Sequence, residues 1–126
     1  MGITLKTIQI QKLNFNNPML FGETRQLQAD IKNKFDYNDD LKKCIVTINC
    51  TVKESVPAQN NKGLSIKLSV IGEYGTDDTF DKNDKETKLL MVRQVFPYVR
   101  NTVSIISSIS GIPVITMPII NIDSIL

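Results

Sequence analysis

The side chains that could carry out chemistry are two cysteines and a cluster of aspartates, and the chain contains no histidine. The absence of histidine removes the most common general base, the Ser-His and Cys-His nucleophile systems and most metal sites. Cys44 and Cys50 lack a C-x-x-C spacing. On an extended strand they would stand about 20 Å apart, too far for a disulfide bond. We interpret both as small buried residues in a reducing compartment.

The acidic residues do not form a recognisable catalytic or metal site. The segment 76–85 contains Asp77, Asp78, Asp81 and Asp84, but it lacks the turn glycine and the distal glutamate of a calcium-binding loop. Glu73 and its neighbours lie in a polar stretch, without the apolar surroundings that raise the pKa of a catalytic carboxyl group. The six glycines are scattered singly, so there is no glycine-rich phosphate loop. The sequence therefore predicts neither an enzyme nor a cofactor nor a metal site.

Length and charge narrow the class of protein. The 126 residues are enough for a single domain, 1–126, with one hydrophobic core. The formal net charge of +2 is too small to predict a nucleic acid or an acidic membrane as a partner. The first residues, MGITLKTIQIQ, alternate between polar and apolar and do not form a signal peptide. We therefore expect a cytoplasmic protein.

Alternation of polar and apolar residues predicts four β-strands before a long helix. The segments are 3–10, 26–37, 43–53 and 64–70. The apolar parity slips between Leu5 and Ile8, which indicates either one strand with a bulge or two short strands. Asn38 to Asp40 is typical of a hairpin turn between the second and third segments. Together they predict an antiparallel meander with one apolar face, which is unstable until something covers it.

The helix predicted from Asn83 to Gly111 must supply that cover, which makes the fold α+β. Asn83 and Glu86 have the spacing of a capping box, and Gly111 ends the helical pattern. Pro97 inside the helix predicts a kink that costs about 3 kcal/mol. The helix carries one apolar stripe of Leu89, Val92, Phe96, Val99, Val103 and Ile106, and a second of Met91, Val95, Tyr98, Thr102, Ile105 and Ile109. Because one small sheet covers only one stripe, we predict that a second copy of the chain covers the other.

The tail from Gly111 to Leu126 is apolar but cannot be a regular helix, because Pro113 and Pro118 stand five residues apart. The apolar stretch is long enough to suggest a membrane anchor. However, the glycine, both prolines and Asp123 would then have to lie in the bilayer core. We therefore predict no membrane partner, and an extended segment that lies across the sheet and the helix.

Two motifs in this C-terminal region resemble those of the SecB protein-export chaperone family. The segment Val95 to Arg100, VFPYVR, is similar to the family's helix motif F-P-Y-A-R. Ile112-Pro113, Pro118 and the ending Asn121 to Leu126, NIDSIL, resemble its proline-rich loop followed by N-F-D-A-L-F. Ile8 to Leu13 is also similar to the family's first strand. The order of strands, helix and proline loop covers nearly the whole chain.

The resemblance implies an ATP-independent chaperone that holds non-native polypeptides, assembled as a homotetramer that is a dimer of dimers. It implies client contacts by Leu27, Ile31, Phe35, Tyr98, Ile112, Val114, Met117, Ile119 and Ile122. It implies a subunit interface made by Ile8, Ile10, Val92, Phe96, Val99 and Val103. The chain departs from the family in its mildly basic charge, in the place of its second proline and in ending where typical members continue into a second helix. Coupling to protein export and to the translocase motor is therefore left open.

Several functions fit these observations. The first is a general holdase for unfolded chains, which would use a long apolar groove to bind many sequences weakly. The second is a chaperone dedicated to one partner, such as an antitoxin or a phage-encoded protein. The third is an oligomerisation module that binds no client. A small-molecule carrier would need a closed pocket with convergent polar groups, and the sequence does not indicate one.

Overall fold

The computed structural model describes residues 2–16, 27–54 and 65–109, with the backbone alone for 27, 28, 54 and 107–109. These residues form the strands β1 (Ile3–Asn16), β2 (Leu27–Asn38), β3 (Lys43–Glu54) and β4 (Ser65–Thr76), followed by the helix α1 (Lys85–Ile109). The strands make one antiparallel sheet, and α1 packs mainly on β3 and β4. The predicted α+β fold, a four-stranded sheet covered on one face by a long C-terminal helix, is therefore confirmed.

The strand order in the sheet is β1-β4-β3-β2. β2, β3 and β4 follow one another as a meander, as predicted. The prediction is wrong for β1, which pairs with the outer edge of β4 and not with β2, the next strand in the sequence. Apolar alternation indicates which face of a strand is buried, but it does not show which edge of the sheet the strand joins. The order leaves β1 and β2 as the two edge strands of the described sheet, each with one backbone edge not paired within it.

Two register shifts in β1 keep its apolar side chains on a single face. One shift lies between Leu5 and Thr7 and the other between Ile10 and Lys12, so Lys6 and Gln11 are extra residues that restore the alternation. The first bulge confirms the parity slip seen in the sequence; the second was not predicted. Because residues opposite one another in an antiparallel pair share a face, the face of β1 towards α1 carries Ile3, Leu5, Ile8, Ile10, Leu13 and Phe15.

The core lies between α1 and the central strands. The sheet contributes Cys44, Val46, Ile48, Cys50, Val52, Ile66, Leu68, Val70 and Tyr74, and the helix contributes Met91, Val92, Val95, Phe96, Val99, Val103 and Ile106. Both cysteines are buried and free, as predicted. Helix and sheet approach closely at Gly72, where an added Cβ would lie 2.6 Å from Val95 Cγ2. The buried Tyr74 hydroxyl is shared between the Met91 carbonyl at 3.2 Å and Gln94 Oε1 at 2.8 Å.

The helix begins at Lys85, and its N-cap is Asp84. Asp84 Oδ1 accepts a hydrogen bond from the Glu86 backbone N–H at 3.3 Å, and Oδ2 accepts one from the Thr87 hydroxyl at 2.7 Å. The cap predicted at Asn83 is thus one residue too early; both residue types are good N-caps, and the sequence offered them side by side.

The helix continues through Pro97. Pro97 has no N–H to donate to the carbonyl of Arg93, four residues earlier. Both residues lie on the exposed side of α1. Water can therefore satisfy that carbonyl, which lowers the cost of the proline.

Candidate functional site

The helix leaves both edge strands only partly covered on the face where it packs. On β2, Ile31, Phe35 and Tyr37 are half-buried against the core; we call these residues the β2 strip. On β1, Leu5, Ile10 and Leu13 are exposed; we call these the β1 strip. Four strands span about 14 Å and a helix is about 10 Å wide with its side chains, so a single helix cannot cover the whole face. Apolar surface therefore remains on both edge strands.

Two adjoining cavities open where β2 meets the start of α1. The first has a volume of about 260 Å³ and is lined by Phe35, Tyr37, Cys44, Phe80, Asp81, Lys82, Asn83, Lys88 and Met91. The second has a volume of about 270 Å³ and is lined by Asn33, Phe35, Asn83, Lys85 and Lys88. Phe35, Asn83 and Lys88 line both cavities, so we treat them as one groove, the β2 groove.

Aromatic rings form much of the wall of the β2 groove. The rings of Tyr37 and Phe80 pack against one another with their centroids 4.8 Å apart. Lys88 Nζ lies 5.5 Å from the centroid of the Phe35 ring, within the range of a cation–π interaction. Tyr37 also donates a hydrogen bond from its hydroxyl to Asp39 Oδ1 at 3.0 Å. The groove therefore combines an apolar wall with fixed polar groups at its rim.

The aspartates of the acidic segment close the turns that lead to the groove. Asp77 Oδ1 accepts hydrogen bonds from the backbone N–H and the hydroxyl of Thr79, and these bonds lower the pKa of Asp77. Asp81 Oδ1 accepts one from the Asn83 backbone N–H at 2.9 Å. These are Asx-type turns, in which the carboxylate takes the place of a backbone acceptor. The segment thus builds the turn that holds Phe80 against Tyr37.

The lysines of the groove have no carboxylate partner in the described part of the chain. Lys82, Lys85 and Lys88 line the cavities. The ion pairs among the described residues instead join Lys34 to Asp36, Lys42 to Asp78 and Lys43 to Glu73. Asp81 is the single acidic side chain among the lining residues. Among the lining side chains, three lysines therefore outnumber one aspartate.

The structure places two of the predicted client-binding residues on one face of the same strand. Ile31 and Phe35 lie on the same face of β2, and Phe35 lines both cavities. Tyr98 is 52% exposed on α1 and does not line the groove. For Leu27 the structure describes the backbone within β2 alone. Ile112, Val114, Met117, Ile119 and Ile122 lie outside the described residues.

Four of the predicted interface residues are already buried inside a single chain. Val92, Val99 and Val103 are fully buried and Phe96 is 3% exposed, because the apolar face of α1 that meets the sheet is broad enough to include Met91 and Val95 as well. They have no surface left for a second copy. Ile8 is half-buried and Ile10 is half-exposed on β1. Among the side chains of α1 that the structure describes, the exposed large apolar residues are Tyr98 and Ile105.

The described residues offer little to covalent or metal chemistry. No group of three or more acidic or cysteine side chains among them is placed to hold a metal ion. Burial raises the pKa of the Cys44 thiol, and it raises that of Cys50 to about 11, so both thiols stay protonated and are poor nucleophiles at neutral pH. In the described part of the chain, no helix is both long and apolar enough to span a membrane.

The sequence matches no protein-family model and no curated protein. Among solved structures, the chain is similar to a SecB-like chaperone of Mycobacterium tuberculosis in complex with a ChAD peptide from the HigA1 antitoxin. The two share 13% identity with a TM-score of 0.72, over 95% of this chain and 88% of that one. This chain has a SecB-like fold. A protein of unknown function from Streptococcus agalactiae is similar to it with a TM-score of 0.56 and 8% identity, over 94% of this chain and 98% of that one.

The SecB-like fold confirms the resemblance that the helix and tail motifs indicated. Sequence reasoning missed several residues of the groove, among them Tyr37, Phe80, Asn83 and Lys88. Tyr37 shares the strand parity of Phe35, so that alternation could have included it. No local pattern connects Phe80 or Lys88 with β2, because only the folded chain brings these residues together.

Proposed function

We propose that this protein is an ATP-independent chaperone that binds segments of non-native polypeptide in the β2 groove. The observation that carries the proposal is a groove with an aromatic wall, beside an edge strand whose outer backbone is not paired within the described sheet. Non-native chains expose apolar side chains and unpaired backbone groups together. Phe35, which lines the groove, and Ile31, which lies on the same face of β2 beside it, can contact the side chains. The edge of β2 can add the backbone as a further strand.

The size of the groove favours several weak contacts over one tight one. Each cavity is about 260–270 Å³, at or below the lower limit of drug-sized pockets. A client would therefore place one or two apolar side chains here and make further contacts elsewhere. Binding at several weak points holds a chain firmly and still allows release without ATP.

The test is suppression of aggregation by the Phe35→Ser and Ile31→Ser double variant. We expect wild-type protein to slow the aggregation of a chemically unfolded reporter, and the variant to lose most of that effect. Leu41→Ser is the matched control, since Leu41 is an exposed apolar residue that does not line the groove. The proposal fails if wild type does not slow aggregation, or if the control loses as much activity as the double variant.

A chaperone dedicated to one partner is the second candidate. The similar structure from Mycobacterium tuberculosis contains a peptide from an antitoxin, which favours a client of that kind. Purification of the chain with its bound proteins from the native host separates the two candidates. A general holdase returns many client proteins, whereas a dedicated chaperone returns one species in a fixed ratio.

We also propose that the chain self-associates through the β1 strip and the free edge of β1. Leu5, Ile10 and Leu13 expose apolar surface next to an edge strand, and such edges pair readily with another chain. A dimer of dimers is the assembly we expect. Measurement of the mass in solution tests it, with Ile10→Lys and Leu13→Lys together as the disrupting variant. A monomeric wild type, or an unchanged mass in the variant, overturns it.

A further inference from the structure

We propose that the β2 groove selects client segments in which an aromatic or large aliphatic residue stands next to Asp or Glu. The inference rests on the proposed function, since it names the sequences that the same groove prefers. It combines two features that occur at one place, a cavity with an aromatic wall and lysines without carboxylate partners among the described residues.

The first cavity is suited to one large apolar side chain. Its wall includes the rings of Phe35, Tyr37 and Phe80, and the buried sulfur-containing side chains of Cys44 and Met91 also line it. Aromatic rings pack well against other rings and against methionine sulfur. The residue that enters is therefore expected to be Phe, Tyr, Leu, Ile or Met.

The rim of the groove is suited to a negative charge beside that anchor. Lys85 and Lys88 stand one helical turn apart and so lie on the same side of α1, with Lys82 in the preceding turn of the chain. Lys88 Nζ lies 5.5 Å from the Phe35 ring centroid, which places a positive charge at the mouth of the cavity. A carboxylate next to the apolar anchor can accept charge-assisted hydrogen bonds from these groups.

One acidic residue of the lining offsets part of this charge. Asp81 lines the first cavity, and its Oδ1 accepts a hydrogen bond from the Asn83 backbone. Asp84 caps α1 with both of its carboxylate oxygens and is not among the lining residues. Counting only the lining side chains, three lysines face one aspartate. A basic client segment would be repelled by the same rim.

The size of the preference follows from the exposure of the lysines. Exposed ion pairs contribute little individually, so two or three together are expected to change Kd by about fivefold to tenfold. Salt screens such contacts, because the Debye length shortens from about 20 Å at 20 mM salt to about 6 Å at 300 mM. The preference should therefore shrink at high salt, while the contribution of the apolar anchor remains.

The experiment measures binding of the full chain to fluorescent peptides of equal length by anisotropy. One peptide carries Phe flanked by Asp and Glu, the second carries Phe flanked by Lys, and the third is the acidic peptide with Phe replaced by Ala. We expect the acidic Phe peptide to bind about fivefold to tenfold more tightly than the basic one at low salt. The Ala peptide should bind more weakly than its Phe counterpart.

Two charge-reversal variants locate the effect. Lys82→Glu with Lys85→Glu changes two exposed rim residues, and Glu is well tolerated near a helix N-terminus. Lys53→Glu with Lys67→Glu is the matched control, because it makes the same change in net charge at exposed positions of the opposite sheet face. The rim variant should reverse the preference between acidic and basic peptides, and the control should keep it.

The outcomes separate this inference from the function on which it rests. If acidic and basic Phe peptides bind equally, or if both variants change binding alike, the selectivity is refuted while peptide binding stands. If neither Phe peptide binds and wild type fails to slow aggregation, the proposed function fails as well. Equal binding of the Phe and Ala peptides refutes the apolar anchor.

Discussion

The close approach of α1 to the sheet at Gly72 can be tested by a double-mutant cycle. A Cβ added at Gly72 would lie 2.6 Å from Val95 Cγ2, where ordinary contacts begin at 3.4 Å. Both residues are buried in the core, so neither side of the contact can move into solvent. The perturbations are Gly72→Ala, which adds the methyl group, and Val95→Ala, which removes the methyl group that it would meet.

The cost of each single change can be worked out from this geometry. Overpacking of a core costs about 1–3 kcal/mol, and the lower entropy of the unfolded Ala chain returns about 0.5–1 kcal/mol. We therefore expect Gly72→Ala to destabilise by about 1–2 kcal/mol. Val95→Ala loses two buried carbons at about 0.8 kcal/mol each, and a cavity cost raises the total to about 2–3 kcal/mol. In the double variant, the new methyl group occupies part of the space that Val95 vacates.

The assay is urea unfolding followed by far-ultraviolet circular dichroism, because the chain has no tryptophan. Protein concentration is held fixed, since self-association would change the apparent stability. The double variant should be more stable than the sum of the single changes by about 1 kcal/mol or more. Additive free energies of unfolding would show that Gly72 and Val95 do not press on one another, and would refute the packing described for α1.

Three further results are expected. Asp84→Ala should lower the free energy of unfolding by about 1 kcal/mol through loss of the N-cap, whereas Asn83→Ala should have little effect. If urea titrations showed the larger loss for Asn83→Ala, Asn83 would be the N-cap. Native Cys44 and Cys50 should react slowly with a thiol reagent at pH 8, because burial raises the pKa of both thiols, and labelling that is fast before unfolding would contradict their burial. Burial raises the pKa of Tyr74 from 10.0 to about 12. The stabilisation that this tyrosine gives to the folded state is therefore intact below pH 10 and is lost as the pH rises towards 12. Unfolding midpoints measured across this range should fall less steeply in Tyr74→Phe, and an unchanged slope would rule out this tyrosine as a cause.

The parts of the fold that depend on local pattern were predictable from the sequence. Alternation identified the four strands, but β1 and β4 continue to Asn16 and Thr76, beyond the predicted ends at 10 and 70. The shift of parity between Leu5 and Ile8 identified the first bulge of β1. The second bulge at Gln11 was missed because the predicted strand, 3–10, ended before it. Without it, Leu13 and Phe15 fall on the wrong face. Recognition of the β1 strip therefore required the structure.

The helix shows where pattern reasoning stops. The two stripes suggested two partners for α1, but Met91 and Val95 of the second stripe are buried with the first. A pattern of apolar residues does not show how much of the helix surface will contact the sheet, and in the structure the sheet contacts a broad arc of α1. The groove could not be predicted from local pattern either, because Phe35 and Lys88 are fifty-three residues apart in the sequence and only the fold brings them together.

The strand order β1-β4-β3-β2 bears on how many client grooves an assembly of this chain would present. β1, the edge proposed for assembly, and β2, the edge proposed for clients, are the two opposite edges of the sheet. Copies joined through β1 would each keep a β2 groove, so the number of grooves would grow with the number of subunits. A long client held in one groove would meet the next at a high effective concentration, and a short peptide would not. Long non-native chains would therefore bind far more tightly than their isolated segments, and a monomeric variant would lose that gain while its single-groove affinity stayed unchanged.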